Sequence, residues 1–212
     1  MIDPRILALG ILTTKVLADA AIAADDELSV ELTPFGAYRF GGTFNVEGTS
    51  ESYKLEDSSS FGLILNFPYR DNTQWEILYS RQETDATFSG ATINDPVVDV
   101  DLQVLQLGGT YQGTGDTVRP YFAATIGGTR VRSRSGGDKS DTFLSGSIGV
   151  GLLFKPDSRL GLRIEARAYG TLMDSDTELF CQTGPDLSIC AVRVKGDLLS
   201  QIETLAGVVF RF

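Results

Sequence analysis

Residues 198–212 read LLSQIETLAGVVFRF, and their polarity alternates one position at a time. Successive strand side chains point to opposite faces, so Ile202, Thr204, Ala206, Val208, Phe210 and Phe212 share one face. Gln201, Glu203, Leu205, Gly207, Val209 and Arg211 share the other, and the charges lie there. Seven more segments carry this period or nearly so, each bounded by Gly, Pro, Asn, Asp or Ser clusters of the kind that end strands. The pattern predicts eight strands, at about residues 28–41, 59–68, 73–86, 98–112, 118–132, 141–154, 159–172 and 196–212.

The face split is sharpest late in the chain. Leu144, Ile148, Val150, Leu152 and Phe154 oppose Ser145, Ser147, Gly149 and Gly151, and Leu160, Leu162, Ile164, Ala166 and Ala168 oppose Arg163, Glu165 and Arg167. Tyr38, Phe40, Trp75, Tyr79, Tyr121, Phe154, Phe210 and Phe212 are assigned to the apolar face near strand ends, the placement of an aromatic girdle. Connections alternate in length: Tyr69–Asn72, Gly113–Thr117 and Lys155–Ser158 are short, and the others are longer, up to the stretch between Met173 and Lys195. Two irregularities predict bulges: Pro34, which cannot donate to a ladder, and a change of phase between Val104 and Leu105. Gly-Gly-Thr recurs at Gly41, Gly108 and Gly127, too short for a repeat unit and suited to relieving strand curvature.

Composition narrows the class. A chain of 212 residues with 22% charged residues suits one folded domain, and a net charge of -10 without a basic stripe excludes nucleic acid as a partner. No run of 18 apolar residues occurs beyond the N-terminus, so a membrane reading requires a barrel rather than helices. Arg5, the apolar run Ile6–Thr14 and Ala21-Ile22-Ala23 predict a secretory signal over residues 1–23, leaving 24–212 as the barrel domain. Alternation alone does not say which face is inside. A soluble lipocalin-type barrel and a sandwich are the alternatives, and the export signal, the loop asymmetry and the terminal Phe favour lipid on the apolar side.

From the signal to Phe212 the chain resembles small eight-stranded outer-membrane barrels of Gram-negative bacteria, of the OmpX-like and OmpW-like kind. Thr33-Pro-Phe-Gly-Ala-Tyr-Arg-Phe-Gly-Gly42 and Trp75-Glu-Ile-Leu-Tyr-Ser-Arg81 carry that resemblance. It implies an all-β, antiparallel, up-and-down transmembrane barrel in the outer membrane. Val208, Phe210 and Phe212 resemble the assembly signal of such barrels, which implies the barrel assembly machinery as a partner, besides outer-membrane lipid and lipopolysaccharide. The architecture hosts anchors, narrow channels and lipid-modifying enzymes alike, so it does not choose among them.

The candidate chemistry is sparse. The sequence has no histidine, which removes the usual base for a serine or cysteine nucleophile. Asp99 and Asp101, at a strand start, read as a solvated rim sooner than as a hydrolytic pair, and no catalytic residue, metal site or cofactor is assigned. Acidic loop residues such as Glu47, Glu56, Asp57 and Asp174 lack the spacing of a calcium loop and read as solvated surface. Cys181 and Cys190, in one loop of an exported chain, predict a disulfide worth roughly 2.5–3 kcal/mol, against a metal or free-thiol reading.

The interior is the remaining site. Glu31, Arg39, Glu76, Arg130, Arg132, Arg163, Glu165, Arg167, Glu203 and Arg211 are read as inward, an excess of cations over anions. Charges in a narrow lumen need partners, so a network of ion pairs is expected, with Arg163, Glu165 and Arg167 reaching Glu203, Glu76 or Glu31. An eight-stranded interior is just wide enough for side chains. The sequence therefore favours a monomeric, non-enzymatic barrel, plugged by ion pairs and acting through its loops; the alternatives are a narrow, anion-leaning channel and, less favoured, a lipid-modifying enzyme.

Overall fold

The computed structural model describes the backbone of residues 30–45, 52–89, 97–133, 139–173, 181–183, 188–190 and 198–212. The signal segment 1–23 lies outside the described residues. Eight strands form the wall: β1 (Glu31–Phe40), β2 (Ser58–Arg70), β3 (Thr73–Ser89), β4 (Val97–Gln112), β5 (Val118–Ser133), β6 (Lys139–Phe154), β7 (Leu160–Leu172) and β8 (Leu198–Arg211). Each pairs antiparallel with its sequence neighbours, and β8 returns to β1, so the sheet closes without an edge. Strand ends fall within three residues of the positions that alternation assigns.

The turns follow from residue chemistry. Asn72, with φ of 62°, takes the left-handed conformation that asparagine tolerates in the turn between β2 and β3. Gly115, at φ of 155°, serves the β4–β5 turn, where an added Cβ would collide with the Val118 carbonyl. At the opposite end the strands outlast what a membrane crossing needs. β3 runs for 17 residues, whereas about 9–11 suffice to cross a bilayer. Two short strands between β1 and β2, Thr43–Asn45 and Ser52–Leu55, extend this wall by pairing with each other and with β3. Three or four residues are too few to show a period, and sequence reading took this stretch as loop.

The distribution of polarity is inverted relative to a soluble protein. Leu105, Leu107, Ile126, Leu144, Ile148, Val150 and Ile202 are each more than half exposed, while Arg39, Glu76, Arg163, Glu165, Arg167 and Glu203 are at most 2% exposed. An apolar surface that encircles the wall is the face a barrel presents to hydrocarbon. Apolar inward residues are confined to packets such as Phe35, Ile64, Leu78, Val104, Tyr169 and Leu205.

Neither expected bulge is present. The β1–β8 register is the same on both sides of Pro34; the ladder omits the rungs at Thr33 and Pro34, and Pro34 itself points outward. Pairing of β4 runs unbroken through Val104 and Leu105. What changes there is the solvent outside the wall. Above the lipid band the outward face meets water and carries Arg81 and Asp101, bonded at 2.8 Å, while inward Val100 and Leu102 are apolar. A register shift does occur between Pro68 and Arg70, beside the β2–β3 turn.

The girdle also differs in membership. Tyr121 is inward, 5% exposed, and belongs to the interior. Tyr69, Trp75, Tyr111, Phe122, Phe210 and Phe212 form the exposed aromatic set toward the turn end, and Tyr38, Phe40 and Phe61 the set toward the loop end.

Candidate functional site

The lumen holds the polar side chains that a narrow interior must pair. Its centre is a four-membered ion cluster supplied by β3 and β7. Arg163 Nη2 donates to Glu76 Oε2 at 2.8 Å and to Glu165 Oε2 at 2.7 Å, and Arg167 Nη2 donates to Glu76 Oε1 at 2.6 Å. Arg167 Nε closes the ring onto Glu165 Oε1. Arg163, Glu165 and Arg167 stand on one face of β7 because they are spaced by two.

Neutral groups complete the cluster. Tyr121 donates its hydroxyl to Glu165 Oε2 at 2.5 Å, and its ring lies 4.5 Å from the Arg163 guanidinium carbon. Thr110 donates to Glu76 at 3.0 Å, Asn66 Oδ1 accepts from Arg163 at 3.1 Å, and Ser147 accepts from Arg167 at 3.1 Å. Glycine makes the space: a Cβ at Gly149 would overlap the Glu165 carboxylate, and one at Gly151 the Tyr121 ring.

Two further pairs sit along the axis. Arg39 and Glu203 face each other across β1 and β8 at 2.7 Å, both fully buried, with Ser60 and Tyr169 donating to the carboxylate at 2.6 and 2.8 Å. Arg39 also donates to Ser80 and lies 4.3 Å over the Tyr169 ring. Toward the turns, Arg211 donates to Glu31 at 2.7 Å and to the Ser158 carbonyl at 2.8 Å. A neutral cluster of Gln106, Thr125, Ser145 and Ser147 lies between β4, β5 and β6.

Eight of the ten residues assigned inward from sequence therefore lie in the lumen: Glu31, Arg39, Glu76, Arg163, Glu165, Arg167, Glu203 and Arg211. Arg130 and Arg132 do not. On β5 the inward parity is Tyr121, Ala123, Thr125, Thr129 and Val131, so both arginines face outward, above the lipid band. With them removed the charges named balance, four arginines against four glutamates, and the cation excess that favoured an anion path disappears. Glu76 takes Arg163 and Arg167 as foreseen, whereas Glu203 pairs with Arg39 and Glu31 with Arg211. Tyr121 had been assigned to the outward girdle, and Tyr169, Asn66, Thr110 and Ser60 were not anticipated; Tyr169 shares the parity of Arg163 and Arg167, whereas β2 and β4 carry no inward charge to mark the face of Ser60, Asn66 and Thr110.

Other candidates are placed as follows. Asp101 faces outward and pairs with Arg81, and Asp99 lies opposite Asp85 in the register. A hydrogen bond that the protonated Asp85 carboxyl donates to Asp99 raises the Asp85 pKa above its ordinary value. The two members of the supposed hydrolytic pair thus have separate partners. The backbone of Cys181–Thr183 pairs antiparallel with Ser188–Cys190, which places Cys181 opposite Cys190, and the side chains of both lie outside the described residues. Val208, Phe210 and Phe212 share the outward face of β8 and its end.

Solved structures resemble this one in fold. Neisserial surface protein A is 16% identical, over 88% of this chain and 97% of that one, with a TM-score of 0.54. The outer membrane protein OprG from Pseudomonas aeruginosa is 10% identical, over 87% and 95%, with a TM-score of 0.52. No curated protein sequence matches the chain. The family model described as the outer membrane protein beta-barrel domain matches residues 7–194, and the chain belongs to that family of outer-membrane barrels.

Proposed function

We propose that this outer-membrane barrel is a closed, monomeric scaffold whose interior is a structural plug and whose function lies at its extracellular loop surface. The observation that carries this reading is the central cluster: Glu76 and Glu165 each accept from both Arg163 and Arg167, and all four are at most 2% exposed. A permeant ion would have to separate those groups, at a cost that a wide pore does not impose. Lipid, lipopolysaccharide and the assembly machinery are its proposed partners, and Phe212 with Val208 and Phe210 its proposed assembly signal. Planar-bilayer recording of the refolded protein tests the plug: conductance near the empty-bilayer baseline is expected, and stable unitary openings would give first place to a narrow channel.

The loop surface is held, on this reading, by a Cys181–Cys190 disulfide that fixes the turn between the paired segments. Maleimide labelling of the exported protein should be absent before reduction and complete for two thiols after it. Full labelling without reduction would remove the disulfide.

A further inference from the structure

The outward wall is not uniformly convex. Where β6, β7 and β8 cross the lipid band, small residues line up across the strands: the register places Gly146 beside Gly170 and Gly170 beside Ser200, with Ile126 of β5 beside Gly146. Leu144, Leu172 and Leu198 stand on one side of this row, and Ile148, Ala168 and Ile202 on the other. The result is an open apolar groove of about 500 Å³. Its floor is low because Gly146 and Gly170 carry no side chain.

Directly above it toward the loops, β5 sends Arg130 and Arg132 outward. Arg130 lies opposite Thr142 and Arg132 opposite Ser140, and Arg130 Nη2 donates to Ser140 Oγ at 2.9 Å. Arg130 is four residues beyond Ile126, roughly 13 Å at about 3.3 Å per residue. At a strand tilt of about 45° that run climbs roughly 9 Å, from near the midplane toward the headgroups. An apolar groove capped by two guanidiniums and two hydroxyls matches an amphiphile with a phosphate at one end and acyl chains at the other.

We propose that this face is a specific site for lipid A, the phosphorylated acyl-glucosamine lipid of the outer leaflet, with one acyl chain in the Gly146–Gly170 groove and a phosphate at Arg130 and Arg132. The leaflet follows from the loop end at which the arginines stand, since the longer loops of such barrels are extracellular. The site rests on the lipopolysaccharide partnership proposed above and is independent of whether the lumen conducts. On the β4 side Arg132 lies opposite the outward Asp101 and Arg130 opposite Gln103, so the phosphate shares Arg132 with that carboxylate.

Native mass spectrometry of the full-length protein in detergent, titrated with purified bisphosphorylated lipid A, tests the assignment. One saturable adduct is expected. Arg130→Gln with Arg132→Gln should weaken it by about tenfold or more, as should Gly146→Val, while Arg70→Gln at the turn end leaves it unchanged. Should Gly146→Val misfold, Ser200→Leu fills the same groove from its exposed edge. Dephosphorylated lipid A should lose the arginine dependence. Unsaturable adducts equal in all variants, equal weakening by Arg70→Gln, binding of phosphatidylglycerol as tight as that of lipid A, or a protein dimer dissolved by Gly146→Val in place of a lipid adduct would each overturn the proposal.

Discussion

Glu76→Ala is expected to destabilise the barrel by about 3–5 kcal/mol, the range for removing one partner of a buried ion pair. Glu76 is fully buried and accepts from Arg163, Arg167 and Thr110, so its loss leaves two guanidiniums sharing the single carboxylate of Glu165. The net positive charge then has no partner in the central cluster, and water must enter to solvate it. Urea unfolding in lipid vesicles measures the loss, and bilayer recording should show conductance rising from baseline as the plug loosens. A second variant separates charge imbalance from lost packing. Glu76→Leu combined with Arg167→Met removes one anion and one cation, leaves Arg163 on Glu165, and should recover most of the stability, because apolar replacement of a whole buried pair is often neutral. If Glu76→Ala unfolds like wild type, the central cluster is not what holds the interior.

Strand positions were legible in the sequence because a closed barrel imposes one period on every strand, and β5 at Val118–Ser133 and β7 at Leu160–Leu172 lie within a residue of their assigned bounds. Inward charge was legible wherever a strand lies within the lipid band, since only the lumen can take Glu76 or Arg163 there. The rule fails beyond the band. Outside hydrocarbon both faces tolerate polar groups, so Arg130 and Arg132 were drawn inward by their charge although β5 parity sends them out, and the polarity exchange at Val104 and Leu105 passed for a bulge. Tyr121 misled for the related reason that a tyrosine suits both a girdle and a buried acceptor. The partners across the lumen were out of reach. Arg163 meets Glu76, 87 residues away, through a packing geometry that no local spacing encodes.

Leu107→Lys tests which side of the wall meets lipid. Leu107 is 53% exposed, and the register sets it between Ile77 on β3 and Ile126 on β5, an unbroken apolar row across three strands. On a soluble barrel, exchanging a half-exposed leucine for lysine would shift stability by no more than about 0.5 kcal/mol. In a bilayer the ammonium must lie in hydrocarbon or bend toward a headgroup, and the expected loss is about 2–4 kcal/mol near the midplane. Arg81→Lys, further along the same wall where Arg81 already pairs with Asp101, should cost far less, because that level is wet. Unfolding in vesicles of increasing acyl length sharpens the contrast. The Leu107→Lys penalty should grow as the hydrocarbon thickens and the nearest headgroup recedes, whereas Arg81→Lys should stay flat until the bilayer reaches its level. An Leu107→Lys protein as stable in vesicles as the wild type would place water, not lipid, against the Ile77, Leu107 and Ile126 row.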